Sequence, residues 1–185
     1  MRQVFLFMMV SLDGYYEGPD HDISWHNVDA EFNRFAIKQT GEVGTLLFGR
    51  KTYALMAGYW PTEMAKGDDP VVASQMNSLA KVVFSKSLEE VEWENSSLVK
   101  EDAAEFVRKL KQSEGKDIAI FGSSDLMLTL IPHGVIDEYR IFVNPVVLGS
   151  GKRLFGPSGR LNLRLAQAAP MKSGVTALVY EATGQ

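Results

Sequence analysis

Short apolar runs alternate along the chain with segments whose apolar residues recur at helical spacing. Five runs rich in β-branched and aromatic residues predict strands: Val4–Val10, Thr45–Phe48, Lys81–Phe84, Ile118–Phe121 and Tyr139–Val143. Because strands that alternate with helices are typical of crossover connections, this pattern predicts a mainly parallel sheet covered by helices.

Three of the intervening segments predict helices. Asp29 to Lys38 places aromatic residues three apart on one face and begins with a capping residue. Asp102 to Gln112 carries an apolar stripe opposite a basic face. A third helix is predicted to begin at Ser123 or Ser124 and to end near Pro132.

The last third of the chain has a different pattern. Tyr139–Leu148, Leu161–Met171 and Val175–Ala182 predict long strands, and Lys172–Gly174 predicts a hairpin turn between the last two. The sheet should therefore begin parallel and finish with an antiparallel C-terminal edge hairpin. We predict an α/β, three-layer fold in which residues 1–185 form a single domain.

Composition narrows the class of protein. The 185 residues are 45% hydrophobic and 23% charged, which suits one folded domain. With 19 Lys and Arg against 23 Asp and Glu, the net charge of −4 argues against a nucleic-acid partner. The chain has no cysteine, which excludes disulfides, thiolate metal sites and cysteine nucleophiles.

Neither a membrane segment nor a metal site is predicted. The Val4–Val10 run is too short to cross a bilayer, only Arg2 precedes it, and no cleavage site follows, so we expect a cytoplasmic protein. His21, His26 and His133 lie in loop-like sequence without metal-ligand spacing, and we expect them to be solvated loop residues.

Three of the predicted strands run directly into turns rich in Gly, Ser, Arg and Lys. The carboxyl ends of parallel strands share one edge of a sheet, where backbone amides and cationic side chains bind phosphates. Repetition at successive strands predicts a nucleotide cofactor, whereas any one turn could be an ordinary strand-to-helix connection with solvated cations. The candidate cofactor residues are Gly49, Arg50, Lys51 and Thr52, then Ser85 and Lys86, then Gly122, Ser123 and Ser124.

For two of these residues, the sequence predicts a more specific role. The planar fork of Arg50 suits a 2′-phosphate or a pyrophosphate, and Thr52 is expected to cap the helix that follows. Neither familiar glycine-rich phosphate motif is present: Gly151-Lys152 lacks the P-loop pattern, and the Gly149–Gly151 turn has Leu154 at the third glycine position.

Other candidates lie in the loops near the first strand. Asp13 directly follows that strand, so it either contacts a ligand at the carboxyl edge or forms a turn before Gly14. Trp25, Tyr59 and Trp60 either wall a heterocycle pocket or lie at the rim of the core.

Taken in order, these segments resemble the dihydrofolate reductase-like superfamily, and most closely the reductase family typified by the C-terminal domain of the bifunctional riboflavin-biosynthesis deaminase-reductase. The resemblance spans the chain. The residues that carry it are Ser11–Gly14, Leu47–Tyr53, Phe84–Lys86, Ile120–Ser124, Asp137–Tyr139, Asn144–Gly151 and Leu154-Phe155.

The resemblance implies a homodimeric reductase that uses NADPH, with the nine residues above around the dinucleotide. It also implies hydride transfer to a small pyrimidine or pterin-like substrate, as in 5-amino-6-(5-phosphoribosylamino)uracil reductases. Asp13 would be catalytic and lie near the nicotinamide. The substrate residues would be Asp13, Trp25, Asn144, Gly149, Gly151 and Lys152.

Two alternatives to this reading remain open. A true dihydrofolate reductase would bind its pterin through Asp29 or Glu31, although neither acid matches the usual position cleanly. A catalytically inactive protein of the same fold would bind nucleotide without turnover, because folds host many functions.

Overall fold

Ten strands and six α-helices make up the part of the chain that the structure, a computed structural model, describes: residues 1–156 and 159–183. The strands are β1 (Val4–Ser11), β2 (Tyr15–Glu17), β3 (Val43–Gly49), β4 (Ala80–Phe84), β5 (Ser96–Val99), β6 (Asp117–Phe121), β7 (Glu138–Asn144), β8 (Lys152–Arg153), β9 (Leu163–Pro170) and β10 (Thr176–Ala182). The helices are α1 (Ala30–Glu42), α2 (Arg50–Tyr59), α3 (Glu63–Asp68), α4 (Pro70–Ser78), α5 (Ala103–Gln112) and α6 (Ser124–Leu130).

Eight strands form one sheet in the order β5-β4-β3-β6-β1-β7-β10-β9. The six strands from β5 to β7 are parallel, and β10 and β9 add an antiparallel hairpin at one edge. The small strands β2 and β8 pair separately as an antiparallel ribbon. The predicted α/β fold with its antiparallel edge is therefore confirmed.

The two faces of the sheet are covered by different helices. The strand β1 alternates: Val4, Leu6 and Met8 pack with residues of α5 and α6, whereas Phe5 packs with residues of α2 and α4. Because both faces are buried, β1 reads in the sequence as a continuous apolar run. On the second face, the ring of Phe7 packs against three other aromatic rings whose centroids lie 5.1 to 6.1 Å away: those of Phe32, Phe121 and Phe142.

The five predicted strands and three predicted helices are confirmed, with small changes at their ends. The turn at Lys172–Gly174 is confirmed as well, since Gly174 has a φ of +87° and the N–H of Met171 donates to the carbonyl of Val175. The extension to Leu148 was wrong, because β7 ends at Asn144, where Pro145 cannot donate a ladder hydrogen bond.

Sequence reasoning missed α3, α4, β5 and the β2–β8 ribbon. One of these had a readable signal: Asp69 caps α4 and Pro70 occupies its first turn, the combination typical of a helix start. The others are short, and the β2–β8 ribbon joins residues more than 130 positions apart, which no local pattern reveals. None of the described helices has the length and apolarity needed to cross a membrane.

Lys81 is a buried cation that donates hydrogen bonds to carbonyl groups at the C-terminal end of α4. It is only 1% exposed, and its Nζ donates to the carbonyl oxygens of Asn77, Leu79 and Glu94 at 2.8 to 2.9 Å. The ammonium also lies 4.4 Å from the centroid of the Trp93 ring. Burial lowers the pKa of Lys81 to about 8, against the opposing effect of the Glu94 charge, so the group is protonated at pH 7.

We expect Lys81→Met to lower the free energy of unfolding by about 2–3 kcal/mol, because three carbonyl groups lose the buried ammonium that donates to them. Urea titration measures the loss. The exposed Lys38 on α1 provides the matched control, and Lys38→Met should change stability by less than about 0.5 kcal/mol. Equal stabilities of the two variants would contradict a structural role for Lys81.

Candidate active site

The predicted site residues come together at the carboxyl edge of the parallel strands. Turns that carry them follow β1, β3, β4, β6 and β7. The register gives this edge two levels: β6 ends where Phe121 pairs with Phe7, whereas β1 and β7 continue to the pair Ser11 and Asn144. Four further residues at about 3.3 Å each raise β1 and β7 about 13 Å above their neighbours. We call these the lower level (the ends of β3, β4 and β6) and the upper level (the ends of β1 and β7).

On the lower level, the turns after β3 and β6 are joined by reciprocal hydrogen bonds. The N–H of Gly49 donates to Ser123 Oγ at 3.0 Å, and the N–H of Ser123 donates to Thr52 Oγ1 at 3.0 Å. Gly122 and Ser123 both have left-handed backbone, with φ of +62° and +56°. A Cβ on Gly122 would lie 3.2 Å from the methyl carbon of Thr52, so the two turns pack closely. We call this contact the turn lock.

The turn lock corrects two helix-cap expectations. Thr52 does not cap α2, since Gly49 is the N-cap and Thr52 lies inside the first turn. Ser123 occupies the N-cap position of α6, but its hydroxyl makes no cap hydrogen bond and accepts from Gly49 instead. Both hydroxyl groups therefore join the turns to each other.

The start of α2 differs from that of most other helices in the described chain. Side chains of Asp29, Thr62, Asp69 and Asp102 cap α1, α3, α4 and α5. In contrast, α2 has no side-chain cap and no acid in its first turn, and begins with Arg50 followed by Lys51. Cations at a helix N-terminus are unfavourable in isolation and become favourable when an anion binds there.

The donors at α2 fit a phosphate group. Arg50 and Lys51 are exposed, and within residues 1–156 and 159–183 the only ion pair of either is a 3.8 Å contact between Lys51 Nζ and the exposed Asp125 carboxylate. A Cβ on Gly49 would approach no protein atom closer than 3.9 Å, so the backbone there is open. A helix start without a side-chain cap, two cations and an open glycine are the chemistry that suits a dinucleotide phosphate.

At the end of β4, the two predicted cofactor residues differ in whether their side chains are free to bind a ligand. Ser85 Oγ accepts from the N–H groups of Ser87 and Leu88, at 3.2 and 3.1 Å, and thereby holds its own turn. Lys86 is exposed. The cation is thus available at this edge, whereas the hydroxyl is already used as an acceptor.

On the upper level, Asp13 fastens the loop that follows β7. Its carboxylate accepts from Ser11 Oγ at 2.7 Å, from the N–H of Gly149 at 2.7 Å and from the N–H of Leu148 at 3.1 Å. These hydrogen bonds, that of Ser11 foremost, lower the pKa of Asp13 to about 2. The group is ionised at neutral pH and does not serve as a proton donor there. Its contact with a substrate stays a prediction.

Asn144 is fully buried and joins three segments. Its Nδ2 lies 3.4 Å from the carbonyl oxygen of Val10 and 3.3 Å from that of Phe142, and its Oδ1 accepts from the N–H of Asn27 at 2.9 Å. The amide therefore positions the loop that carries Trp25 and Asn27 over the ends of β1 and β7. A direct contact between Asn144 and a substrate stays a prediction.

The two glycines of the Asn144–Gly151 loop have different surroundings. Gly149 has a φ of +71° with open space where a Cβ would lie. Gly151 has a φ of +128°, and a Cβ there would lie 2.1 Å from the carbonyl oxygen of Glu17. Gly149 is thus open to a ligand, whereas Gly151 lets the β2 and β8 backbones approach.

Lys152 is held beside this crossing. Its Nζ lies 2.5 Å from Glu17 Oε1, and this oxygen also lies 2.7 Å from His21 Nδ1. The Glu17 contact raises the pKa of Lys152. A substrate phosphate would therefore compete with Glu17 for this ammonium. The neighbouring Arg153 stacks over Tyr15, 4.8 Å from the ring centroid.

The three candidate pocket aromatics do not meet. Trp25 lies on the upper level, where its Nε1 donates to the carbonyl of Asp22 at 3.0 Å. Tyr59 and Trp60 lie at the opposite end of α2 and pack against each other with centroids 5.1 Å apart. Only Trp25 remains a candidate substrate residue.

The expectation for His26 was wrong, because this histidine is half-buried rather than solvated. Its ring packs edge-on against Trp25, with centroids 4.4 Å apart, and burial lowers the pKa of His26. The neighbouring Trp25 and the apolar Ile23 were the sequence features that could have indicated this burial. The acids proposed for pterin binding are engaged elsewhere: Asp29 caps α1, and Glu31 accepts from the N–H of Lys172 at 2.9 Å.

A comparison with protein families identifies the chain. The family described as RibD C-terminal domain matches residues 2–177. The chain belongs to this family. It is 34% identical over 190 residues to the uncharacterized protein YyaP of Bacillus subtilis (strain 168), covering 99% of this chain and 96% of the relative. A second Bacillus subtilis relative, the uncharacterized protein YwjB, is 33% identical over 155 residues and 83% of each chain.

Solved structures related to the RibD C-terminal domain family show the same fold. A putative riboflavin biosynthesis protein from Shewanella sp. PV-4 superposes with a TM-score of 0.75 at 22% identity, over 100% of both chains. A diaminohydroxyphosphoribosylaminopyrimidine deaminase/5-amino-6-(5-phosphoribosylamino)uracil reductase from Thermotoga maritima gives a TM-score of 0.71 at 14% identity. The match covers 98% of this chain and 57% of that one. These likenesses support the reductase-domain fold.

We expect Asp13→Asn to lower the melting temperature at pH 7, because an amide cannot accept from Ser11, Leu148 and Gly149 together. The folded pKa of about 2 lies below the ordinary 3.8, so the carboxylate stabilises the fold above about pH 4 and loses this effect as the pH falls toward 2. Melting curves from pH 7 to pH 3 should show the gap to wild type narrowing only below about pH 4. A constant gap would contradict this role; the exposed Glu101→Gln is the control.

We expect Gly151→Ala to destabilise the protein by about 3 kcal/mol or more, because its Cβ would overlap the Glu17 carbonyl oxygen. Gly149→Ala is the matched control: it carries the left-handed backbone cost of about 1 kcal/mol without a clash. Chemical denaturation of both variants measures the difference. Similar losses would show that the β2–β8 crossing is not tightly packed.

Proposed function

We propose that this protein is an NADPH-dependent oxidoreductase that transfers hydride to a small pyrimidine or pterin-like heterocycle, as the riboflavin-biosynthesis reductase domains do. One observation carries the proposal: in a RibD C-terminal domain, the uncapped and acid-free start of α2 carries Arg50 and Lys51 at the carboxyl edge. An anion is the natural complement of that helix end.

The lower level would bind the phosphates of the cofactor. Arg50 would take the 2′-phosphate through its guanidinium fork, while Lys51 and Lys86 add positive charge. The turn lock would hold Gly49 and Ser123 in place, so that their backbone does not have to be ordered when the cofactor binds. When bound, NADPH supplies the hydride.

The upper level would bind the substrate. Trp25 offers a partly buried ring, and Gly149 offers open backbone. Asp13 would act by holding the 148–149 amides in position, a positioning role that its ionised state allows. The Thermotoga maritima protein with the same fold is named for a uracil substrate, which supports a pyrimidine over other heterocycles.

A dihydrofolate reductase is less well supported. Asp29 and Glu31 both accept hydrogen bonds from backbone amides, so neither carboxylate is free to bind a pterin through a paired contact. The inactive alternative predicts cofactor binding without hydride transfer to any heterocycle, and turnover assays separate it from the proposed enzyme.

We also propose that the protein is a cytoplasmic homodimer. The edge strand β9 carries Leu165, which is 50% exposed, and most of its other residues are exposed as well. An unpaired edge strand with exposed apolar residues is suited to association with a second copy. Sedimentation of the purified protein determines the oligomeric state.

We expect Arg50→Ala to weaken NADPH binding by about 10- to 100-fold, the loss of a charge-assisted contact, and NADH binding by less than about 3-fold. Fluorescence titration of wild type and variant with each dinucleotide measures both constants.

Arg108→Ala, which removes an exposed arginine from α5, should bind both dinucleotides as wild type does. Equal losses for NADPH and NADH would contradict the 2′-phosphate role of Arg50. Failure of the wild type to bind either dinucleotide would overturn the proposed function.

A further inference from the structure

The two levels of the candidate active site carry charge of opposite sign. The lower-level turns, residues 49–52, 85–86 and 122–125, hold three cations and one acid. On the upper level, residues 144–153 hold two cations, whereas residues 11–31 hold no Lys or Arg and six acids: Asp13, Glu17, Asp20, Asp22, Asp29 and Glu31. A phosphate group on the substrate would therefore meet a negatively charged surface.

Asp13 occupies the backbone amides of the upper level that could bind an anion. The consecutive N–H groups of Leu148 and Gly149 both donate to its carboxylate, at 3.1 and 2.7 Å. Consecutive backbone amides of this kind are a common phosphate-binding feature. Because hydrogen bonds, that of Ser11 foremost, lower the pKa of Asp13 to about 2, the carboxylate is charged at neutral pH. The place that a phosphate would take is filled by an anion of the protein.

Glu17 neutralises the Lys152 ammonium in a similar way. Its Oε1 lies 2.5 Å from Lys152 Nζ and 2.7 Å from His21 Nδ1. The hydrogen bond with Glu17 raises the pKa of Lys152, and the charge of Asp125 acts in the same direction. The Glu17 side chain is only 16% exposed, so salt screens its charge less than that of an exposed acid. A substrate phosphate would have to displace Glu17 to reach Lys152.

The backbone fixes the position of Glu17. Its strand β2 pairs with β8 so that Glu17 lies opposite Lys152, and Gly151 lets the two backbones approach closely. Beyond β2, the N–H of Gly18 donates to the carbonyl of Asp22 at 2.8 Å and closes the following loop. The ion pair is therefore formed before any ligand binds, and a phosphate would have to break it.

Two other cations near this end of the sheet also have partners in the protein. Arg153 stacks over Tyr15, with its guanidinium carbon 4.8 Å from the ring centroid. Lys172 lies beside Glu31, whose Oε2 accepts from the Lys172 backbone N–H at 2.9 Å. Neither cation is placed at a helix start with open backbone, as Arg50 is on the lower level.

We propose that the substrate is a heterocycle without a phosphate group, and that Glu17 is the specificity residue that disfavours the phosphorylated form. Glu17 acts by neutralising Lys152 and by repelling a second anion. This inference deepens the proposed function and rests on it, because it names the substrate class of the upper level. Repulsive charges commonly suppress wrong ligands. The substrate would thus differ from the phosphoribosylamino compound for which the Thermotoga maritima protein is named.

The test compares two probes that differ only in a phosphate group: 5-amino-6-(D-ribitylamino)uracil and its 5′-phosphate. Calorimetric titration of each probe into the protein saturated with NADP⁺ measures both dissociation constants. We expect the wild type to bind the unphosphorylated probe at least about 10-fold more tightly. Because the cause is electrostatic, this preference should shrink when the salt concentration rises from about 0.05 M to about 0.5 M.

Two variants isolate the role of Glu17. Glu17→Gln keeps the side-chain length and an acceptor for Lys152 but removes the negative charge. It should reduce the preference about 10-fold by gaining affinity for the phosphorylated probe, since the ammonium becomes free to bind phosphate. Adding Lys152→Met to Glu17→Gln should restore most of the wild-type preference. A purely structural role of Glu17 predicts no gain of affinity for the phosphorylated probe in the first variant.

Asp20→Asn is the matched control. It removes one negative charge from the loop after β2, and Asn tolerates the left-handed backbone of this residue, which has a φ of +55°. Asp20 is exposed, so salt screens its charge, and the variant should change the preference by less than about 3-fold. Equal changes in Asp20→Asn and Glu17→Gln would contradict the specific role of Glu17.

Equal affinity of the wild type for the two probes, or tighter binding of the phosphorylated one, would overturn the inference. The cofactor titration keeps this test distinct from that of the proposed function. If the wild type binds NADP⁺ but neither probe, the substrate assignment fails and the reductase proposal survives. If it binds no dinucleotide, the reductase proposal fails first.

Discussion

The candidate site depends on the turn lock between the strands β3 and β6. Each of its two hydrogen bonds is worth only about 1 kcal/mol in net stability. They nevertheless fix two left-handed residues, Gly122 and Ser123, against the start of α2. Because Ser123 accepts from Gly49 and donates to Thr52, both in the turn after β3, neither turn can shift alone. The position of the open helix end at Arg50 therefore depends on both turns together and not on its own segment alone.

On the upper level as well, some side chains position the site while other groups are left open for contact with a ligand. Asp13 and Asn144 carry the functional groups that suggest ligand binding, yet both groups are engaged with protein partners from distant segments. What they leave exposed is backbone and an aromatic ring. Polar side chains at this edge thus shape the surface, while glycines and free cations provide room and charge for a ligand.

The sequence predicted the parallel order, the antiparallel edge and the helices with strong apolar faces, because burial on one or two faces leaves a clear periodicity. It also located the strand-end turns. It could not predict which hydroxyl groups are used up: Thr52 and Ser123 look like caps locally, and their partners lie about 70 residues away. His26 was misjudged for a related reason, since the loop that carries it is held by a hydrogen bond from Asn27 to Asn144, more than 100 positions later.

The position of β6 in the sheet has a consequence for folding. It lies between β1 and β3, although β4 and β5 precede it in the chain. Before residues 117–124 are available, the two halves of the sheet have no strand to join them. A complete sheet therefore requires β6 to pair with β1, which lies more than 100 residues earlier in the chain. Such contacts between distant residues are typical of slower folding. During synthesis, the lower level of the candidate site can therefore form only after about two thirds of the chain has been made.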